Sequence, residues 1–208
     1  MLEILARANV SQDVHRLANL SYIAAFAEKK GLTIDEVTDV IRFSRDDVTR
    51  ELMEGSFQPK LHLGGKFGDR TRFSDGEWPV FYAAVDRTTA GKEAAHHYGR
   101  RAAGDPASPR AVYYSIVRCR FSGEIIDLRP QFPAWPDLVS EDYTFCNALG
   151  REAHAVDVGA LLSPSARHDG GTTMPAFIEG TLSEPVIEAA ARLSFDAGHV
   201  EIEVREPL

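Results

Sequence analysis

A short apolar run that leads almost directly into an alanine-rich segment restricts the fold of this chain more than any other feature. Residues 79–85 read PVFYAAV, which is typical of a buried strand. Residues 89–103 read TAGKEAAHHYGRRAA and predict a helix that starts near a Thr-Thr pair. A strand followed so closely by a helix indicates that this part of the chain mixes helices and sheet.

Apolar segments separated by turn residues extend this mixed pattern to the C-terminal end. Residues 111–121 and 123–129 predict two strands that form a hairpin across a Ser-Gly turn. Residues 154–162 predict a strand or a short helix, and residues 193–207 predict two short strands around an Ala-Gly turn.

The N-terminal part of the chain has a different pattern, which predicts helix over residues 10–55. Thr33 and Glu36 have the spacing of a capping box, and Ser44 offers a second N-cap, so the segment resembles a helix-turn-helix. Its second helix, 45–54, is rich in acidic residues, which disfavours contact with DNA phosphates. The alternative is a small helical subdomain that packs on the rest of the chain or mediates self-association.

Length and charge limit the architecture and the partners. The 208 residues fit one compact domain with an appendage, or two small domains. Residues 56–66 contain a proline and a Gly-Gly pair and predict a linker, so we expect a helical segment over 1–60 and a second domain over 61–208. The net charge of −8 and the pI near 5.4 argue against broad nucleic-acid binding.

Location and metal binding are predicted from what the sequence lacks. There is no apolar run of about 20 residues and no signal-peptide pattern at the N-terminus, which predicts a cytoplasmic protein with no membrane partner. A toxin delivered by a dedicated secretion machine would look the same. Cys119 and Cys146 lack CxxC spacing and are predicted to be buried, reduced thiols. The neighbouring His96 and His97 do not share a helix face, so no metal site is expected.

Three polar side chains fall around the predicted strand and helix. Arg72 precedes the strand in a loop rich in Gly, Asp and Ser, where a guanidinium can hold phosphate or carboxylate. Tyr82 lies in the strand, where its ring can flank a flat heterocycle, and Glu93 lies in the first turns of the helix, where the dipole favours a carboxylate. Each has a structural alternative: a surface ion pair, a core tyrosine and an exposed helix glutamate.

A second loop has a similar character. Residues 161–177, LLSPSARHDGGTTMPAF, place Ser165, Arg167 and two glycines after an apolar run. Serine, arginine and backbone N–H groups freed by glycine suit an anion, and a plain surface turn is the alternative. The chain has no GxxxxGK[ST], GxGxxG, GxSxG or HExxH motif that would suggest another chemistry.

The two loops together resemble the RES domain family. Residues 72–74 (RFS) resemble its leading Arg-Trp/Phe-Asn/Ser segment, 82–84 (YAA) its xxYxA strand, and 89–93 (TAGKE) its T-A-x-x-E helix. Residues 164–171 (PSARHDGG) resemble its P-S-x-R-x-x-G-G element, and the resemblance covers roughly 61–208. The first element reads Thr-Arg-Phe-Ser, where many members have Gly-Arg-Trp-Asn.

The resemblance implies an α+β fold similar to that of ADP-ribosyltransferase toxins, with mixed or antiparallel sheets and flanking helices. It also implies a toxin-like enzyme that degrades NAD⁺. RES proteins are typically the toxin halves of bacterial toxin–antitoxin pairs. NAD⁺ is then the substrate, and no separate cofactor or metal is expected. A cognate antitoxin or immunity protein is the expected partner, and self-association stays open.

The resemblance also implies roles for six residues. Contacts to NAD⁺ are expected from Arg72, Ser74, Tyr82 and Arg167, and catalytic roles from Arg72, Glu93 and Ser165. Arg72 would hold the pyrophosphate, with Arg167 as a further phosphate contact, and Tyr82 would pack at the nicotinamide–ribose end. Glu93 would stabilise positive charge at C1′ as nicotinamide leaves, with Ser165 orienting Glu93 or the ribose.

Three other functions stay open. An ADP-ribosyltransferase that modifies a protein or another macromolecule would share the NAD⁺ site. A non-catalytic regulator would use residues 10–55 to bind DNA or a partner. The third is a RES domain that has an intact fold and no activity. If the chain is an NAD⁺-cleaving enzyme, whether water or phosphate accepts the ADP-ribosyl group also stays open.

Overall fold

The computed structural model of the protein describes residues 1–19, 30–43, 53–60, 63–105, 107–108 and 110–206. The strands in these ranges are β1 (Arg7–Asn19), β2 (Phe81–Ala84), β3 (Ala111–Asp127), β4 (Ala160–Pro164), β5 (Thr172–Ala176), β6 (Leu182–Asp196) and β7 (His199–Arg205). The α-helices are α1 (Ile34–Phe43), α2 (Arg87–Gly104) and α3 (Thr144–Ala155). Short 3₁₀ helices span Leu2–Ile4, Arg129–Gln131, Pro136–Val139 and Glu179–Thr181.

The seven strands form one sheet in the order β1-β2-β5-β4-β3-β6-β7. β1 also pairs with β3, from Arg7 opposite Ile126 to Asn19 opposite Tyr114, so five of the strands close into a ring. β6 and β7 extend from β3 outside this ring. β3 and β4 are parallel, and the other pairings among the described strands are antiparallel. The predicted α+β class is therefore confirmed.

Three groups of buried side chains hold these elements together. Val14, Phe81, Phe121 and Met174 belong to the group that joins β1, β2, β3 and β5. A second group joins α3 to the loop before β2 and to β4, with the members Phe73, Trp78, Leu138, Leu149 and Leu161. A third joins α2 to β3 and β6, with the members Tyr98, Ala102, Ile116, Ala189 and Leu193. α2 is thereby packed on β3 and β6, and α3 on the loop before β2.

The prediction of helix from residue 10 onward is wrong for residues 10–19, which lie in β1. Every residue of β1 has a partner on β3, so the ladder outweighs the local preference for helix. Alternation along a strand places Gln12 and Arg16 on the same face as buried Val14. These two inward polar residues remove the apolar alternation that indicates a strand, which explains the error.

The capping box at the start of α1 is confirmed. The backbone N–H of Thr33 donates to Glu36 Oε2 at 2.7 Å, and the N–H of Glu36 donates to Thr33 Oγ1 at 3.3 Å. The start of the second predicted helix, at residues 44–52, lies outside the described residues. The division of the chain at residue 60 stays a prediction.

The hairpin predicted across the Ser-Gly pair is wrong, because β3 runs through it without a break. Gly123 pairs with Val10 of β1, and a Cβ on Gly123 would lie 3.0 Å from Thr181 Cγ2. The glycine therefore allows a close approach and does not form a turn. The C-terminal hairpin is confirmed: Ala197 and Gly198 both have positive φ, 47° and 86°, between β6 and β7.

Both cysteines are buried and free, as predicted. Burial raises the pKa of each thiol to about 11, so both are unreactive at neutral pH. Among the helices of the described residues, none combines the length and apolar character needed to cross a membrane.

Candidate active site

A cleft between β1, β2 and α2 is lined by three of the six predicted site residues. Its lining includes Arg16, Arg72, Tyr82, Ala84, Glu93, His97, Tyr143 and Thr173. One cavity is therefore shared by Arg72, Tyr82 and Glu93, although a loop, a strand and half a helix separate them in sequence.

The loop that carries Arg72 is fixed from behind by α3. Asn147 of α3 donates from Nδ2 to the carbonyl oxygens of Thr71 and Arg72, at 2.7 and 2.8 Å. A Cβ on Gly150 would lie only 2.0 Å from the carbonyl oxygen of Phe73, so the helix and the loop are in direct backbone contact. The position of Arg72 at the cleft thus depends on a helix that the sequence patterns did not predict.

The guanidinium of Arg72 is buried but not neutralised. Its Nη1 donates to the carbonyl oxygens of Leu138 and Ser140, at 3.2 and 2.6 Å, and its Cζ lies 4.8 Å from the centre of the Tyr143 ring. No carboxylate among the described residues forms an ion pair with it, and Asp75 pairs with Arg151 instead. The side chain therefore brings a positive charge to the cleft wall, and the alternative of a surface ion pair is wrong.

Tyr82 offers its ring to the cleft and its hydroxyl to the protein. The hydroxyl accepts a hydrogen bond from the backbone N–H of Phe73, which ties β2 to the Arg72 loop. Burial raises the pKa of the Tyr82 phenol well above its usual value, so it stays protonated. The ring face is the part of Tyr82 available to a ligand.

Glu93 projects into the cleft from the second turn of α2. The helix begins after Asp86, whose carboxylate accepts from the N–H of Thr89 at 2.8 Å, and not at the Thr-Thr pair that follows. Because the helix dipole acts mainly on the first turn, its effect on Glu93 is weaker than the sequence suggested. A specific donor is present instead: Ser165 Oγ lies 2.6 Å from Glu93 Oε1.

Ser165 lies at the start of the loop between β4 and β5. Its Oγ accepts hydrogen bonds from the backbone N–H groups of Arg167 and His168, at 3.1 and 3.0 Å. A serine hydroxyl has two lone pairs and one proton. With both lone pairs in use, the proton is directed at Glu93, so the structure brings together the two residues that the motifs placed in one site.

Arg167 and Ser74 have different surroundings. Arg167 forms an ion pair with Glu141 through Nη1, while its Nε and Nη2 are buried without a hydrogen-bond partner among the described residues. Ser74 is buried, donates to the carbonyl of Trp78 at 2.9 Å and accepts from the N–H of Gly76 at 3.0 Å. Arg167 thus retains free donors near the cleft, whereas the hydroxyl of Ser74 serves its own turn and is not part of the cleft lining.

Arg16 is a site residue that the sequence patterns missed. It reaches the cleft from β1, with its Cζ 4.7 Å from the centre of the Phe81 ring and Nη1 3.0 Å from Ser56 Oγ. Burial lowers the pKa of its guanidinium, and no carboxylate in the described part of the chain pairs with it. The signal that could have revealed it is the β-strand face shared by Val14, Arg16 and Ala18.

The charges of the cleft suit a particular kind of ligand. Among the described residues, its lining contains one carboxylate, Glu93, and two arginines that form no ion pair, Arg16 and Arg72. Arginines favour phosphate or carboxylate groups, and a lone carboxylate favours a centre that is or becomes positive. Within the described ranges, no three His, Cys, Asp or Glu side chains are placed to hold a metal ion.

Comparison with known proteins places this geometry in a family. No curated protein matches the sequence. A chain in the crystal structure of the M. tuberculosis MbcT–MbcA toxin–antitoxin complex has a similar fold, with a TM-score of 0.53 and 14% identity over 99% of this chain and 88% of that one. The model of the RES domain matches residues 49–196, which is more than half of the sequence. The chain therefore belongs to the RES domain family.

Proposed function

We propose that this chain is a toxin-like enzyme that cleaves NAD⁺ at the bond between nicotinamide and ribose. Water or phosphate would accept the ADP-ribosyl group. The observation that carries the proposal is the carboxylate of Glu93, which accepts a hydrogen bond from Ser165 in a cleft otherwise charged by arginines. NAD⁺ combines a pyrophosphate with a cationic nicotinamide ribose, so it matches both halves of this charge pattern.

The arginines would bind and orient the pyrophosphate. Arg72 has its Nη1 engaged by two carbonyls, which fixes the direction of its guanidinium before the substrate arrives. Arg16 faces the same cleft from β1. Arg167 adds Nε and Nη2, two donors that have no hydrogen-bond partner among the described residues. The ring of Tyr82 would then flank the nicotinamide or the ribose attached to it.

Glu93 would act on the bond that breaks. As the bond between C1′ and the nicotinamide nitrogen lengthens, its electron pair goes to the nitrogen, and positive charge develops on the ribose. A carboxylate beside C1′ stabilises that charge. The leaving nicotinamide becomes neutral by taking the electron pair, so no general acid is needed. Water then bonds to C1′ and releases a proton to the solvent, or phosphate bonds to C1′ through an anionic oxygen, which needs no loss of a proton.

The direct test is release of nicotinamide from NAD⁺ by the purified chain, measured with and without added phosphate. Glu93→Gln keeps the size of the side chain and a hydrogen-bond acceptor for Ser165, but removes the charge. We expect turnover to fall by about 10²- to 10³-fold, as for the loss of one preorganised electrostatic contact. Lys92→Gln, at the exposed neighbouring position of α2, is the matched control and should leave turnover unchanged.

Several outcomes would contradict this proposal. No release of nicotinamide in either buffer would exclude the enzyme reaction, and near-normal turnover of Glu93→Gln would exclude the role of Glu93. NAD⁺ labelled in the ADP-ribose part separates the acceptors, because label retained on protein would favour the alternative of a protein-modifying ADP-ribosyltransferase.

We further propose that the chain is the toxin half of a pair with a cognate antitoxin or immunity protein. Support comes from the membership of the RES domain family and from the fold shared with a chain of a toxin–antitoxin complex. Expression of the active chain in bacteria should lower cellular NAD⁺ and stop growth, whereas Glu93→Gln should do neither. Growth arrest of equal strength by both variants would show that toxicity does not come from the cleft.

A further inference from the structure

We infer that His168 is a positioning residue for the proposed reaction, which acts on Glu93 through Ser165. Its effect on turnover rests on the proposed function, whereas its contacts are those of the structure itself. His168 lies in the β4–β5 loop, three residues after Ser165, and is not among the residues that line the cleft.

The side chain of His168 is bonded to the first turn of α2. Its Nδ1 lies 2.8 Å from Thr89 Oγ1, and that hydroxyl donates to Asp86 Oδ2 at 2.7 Å. Because the only proton of the Thr89 hydroxyl goes to Asp86, the imidazole must donate from Nδ1–H. Thr89 is completely buried, so this contact is shielded from water.

The backbone of His168 is bonded to Ser165 and closes the loop. Its N–H donates to Ser165 Oγ at 3.0 Å, and its carbonyl oxygen accepts from the N–H of Gly171 at 2.9 Å. The N–H of Ser165 donates in turn to the carbonyl of Gly171 at 2.9 Å. One continuous set of hydrogen bonds therefore runs from Asp86, at the start of α2, through His168 and Ser165 to Glu93 on the same helix.

Gly171 shows that the contact between loop and helix is close. A Cβ at this position would lie 2.6 Å from Thr89 Oγ1 and 2.8 Å from His168 Nδ1. These distances are shorter than any side chain tolerates, so the glycine is required for the imidazole to reach the helix.

This set of bonds sets the position of the Glu93 carboxylate. Within the described part of the chain, Ser165 is the donor to Glu93 Oε1, and its hydroxyl points there only while Arg167 and His168 supply the two backbone donors. If the hydrogen bond between the His168 imidazole and Thr89 is lost, the β4–β5 loop can shift relative to α2. The Glu93 carboxylate then loses its fixed direction. Displacement of a catalytic group by about 1 Å can lower a rate by about 100-fold.

Two substitutions of similar size test the inference. In His168→Asn the amide nitrogen can take the place of Nδ1–H and donate to Thr89, whereas in His168→Gln the amide is one bond farther along and takes the place of Nε2. We expect His168→Asn to keep kcat within about threefold of wild type. We expect His168→Gln to lower kcat by about 10- to 100-fold with little change in KM, because Arg16 and Arg72, which lie outside the β4–β5 loop, are untouched.

A double-mutant cycle separates this role from a general structural one. Once Ser165→Ala has removed the hydroxyl, His168→Gln should lower kcat no further, whereas a purely structural residue would give additive losses. Wild-type kcat in His168→Gln, equal losses in both His168 variants, or full additivity with Ser165→Ala would each overturn the inference.

A readout that needs no activity keeps the inference distinct from the proposed function. In a chain with ¹⁵N-labelled histidine, NMR should show neutral His168 protonated at Nδ1, and Thr89→Val should abolish that preference. An Nε2–H imidazole in the wild-type chain would overturn the geometry, whether or not NAD⁺ is cleaved. If the imidazole is as described and no nicotinamide is released, the proposed function fails and the positioning role fails with it.

Discussion

At the scale of single residues, a substitution of Arg16 distinguishes an effect on substrate binding from an effect on stability. Methionine fills a similar volume without charge, and replacing a buried charge by an apolar residue is often neutral or stabilising. We expect Arg16→Met to raise KM for NAD⁺ and to lower kcat/KM by about 10- to 100-fold, the range for loss of a charge-assisted hydrogen bond of about 1.5–3 kcal/mol. Its melting temperature should be equal to or higher than that of the wild type.

Arg7→Met is the matched control for Arg16→Met. Arg7 lies on the same strand, but its ion pair with Glu124 is 39% and 38% exposed and lies away from the cleft. Pairs of this kind contribute little to stability, and this one has no route to the substrate. Unchanged KM in Arg16→Met, or an equal rise in both variants, would remove Arg16 from the site.

The residues of the site differ in how well the sequence predicted them. Glu93 and Ser165 were predicted because two motifs in the right order support one another, and they lie 2.6 Å apart in the structure. Arg16 was missed because its strand was interpreted as a helix. Functional residues that point inward interrupt the apolar pattern that would otherwise identify their strand.

At the scale of elements, the contact between α3 and the Arg72 loop is open to a test with a single methyl group. Gly150→Ala would place a Cβ 2.0 Å from the carbonyl oxygen of Phe73. Overpacking typically costs about 1–3 kcal/mol, and here neither backbone can move without disturbing Asn147 or Arg72. We expect a lower free energy of unfolding, measured by denaturant titration, together with a higher KM for NAD⁺.

Gly104→Ala provides the control for this substitution. Gly104 is the last residue of α2, and a Cβ there would meet nothing within 4 Å. Alanine is the better helix former, so this change should be neutral or slightly stabilising. A Gly150→Ala variant as stable as Gly104→Ala would contradict the close packing of α3 on the loop.

The elements that were predicted are those with strong local signals. β2 and α2 have a continuous apolar run and an alanine-rich sequence, and both formed where expected. α3 was missed because the residues it buries, apart from Leu149, are small or polar, among them Cys146, Asn147 and Gly150. These residues allow α3 to approach the Arg72 loop closely, but they do not produce an apolar stripe.

At the scale of the whole molecule, the ring of five strands predicts that the residues matched by the family model do not fold alone. A chain of residues 49–208 would lack β1. One edge of β3 would then be unpaired, and the core side chains that pack against Val14 of β1 would be exposed. Calorimetry should show a sharp thermal unfolding transition for the full chain. We expect no cooperative transition for residues 49–208 or for residues 20–208. A native-like transition for either truncated chain would show that β1 is dispensable.

The overall fold was predicted mainly by resemblance, and local patterns could not have supplied it. Closure of the ring depends on pairing between β1 and β3, whose partners are far apart in sequence, and on a change of partner along β3 from β6 to β4. Neither leaves a local periodic signal, since periodicity reports only which face of an element is buried.

The pairing of β1 with β3 also has a consequence during synthesis of the chain. β1 leaves the ribosome first, yet its partners, from Tyr114 to Ile126, are translated much later, and Ser165 later still. A site that needs Arg16 from β1 and Ser165 from the loop after β4 cannot assemble on a partial chain. Under the proposed function, a binding partner synthesised at the same time would have the whole period of translation in which to bind before the cleft can cleave NAD⁺.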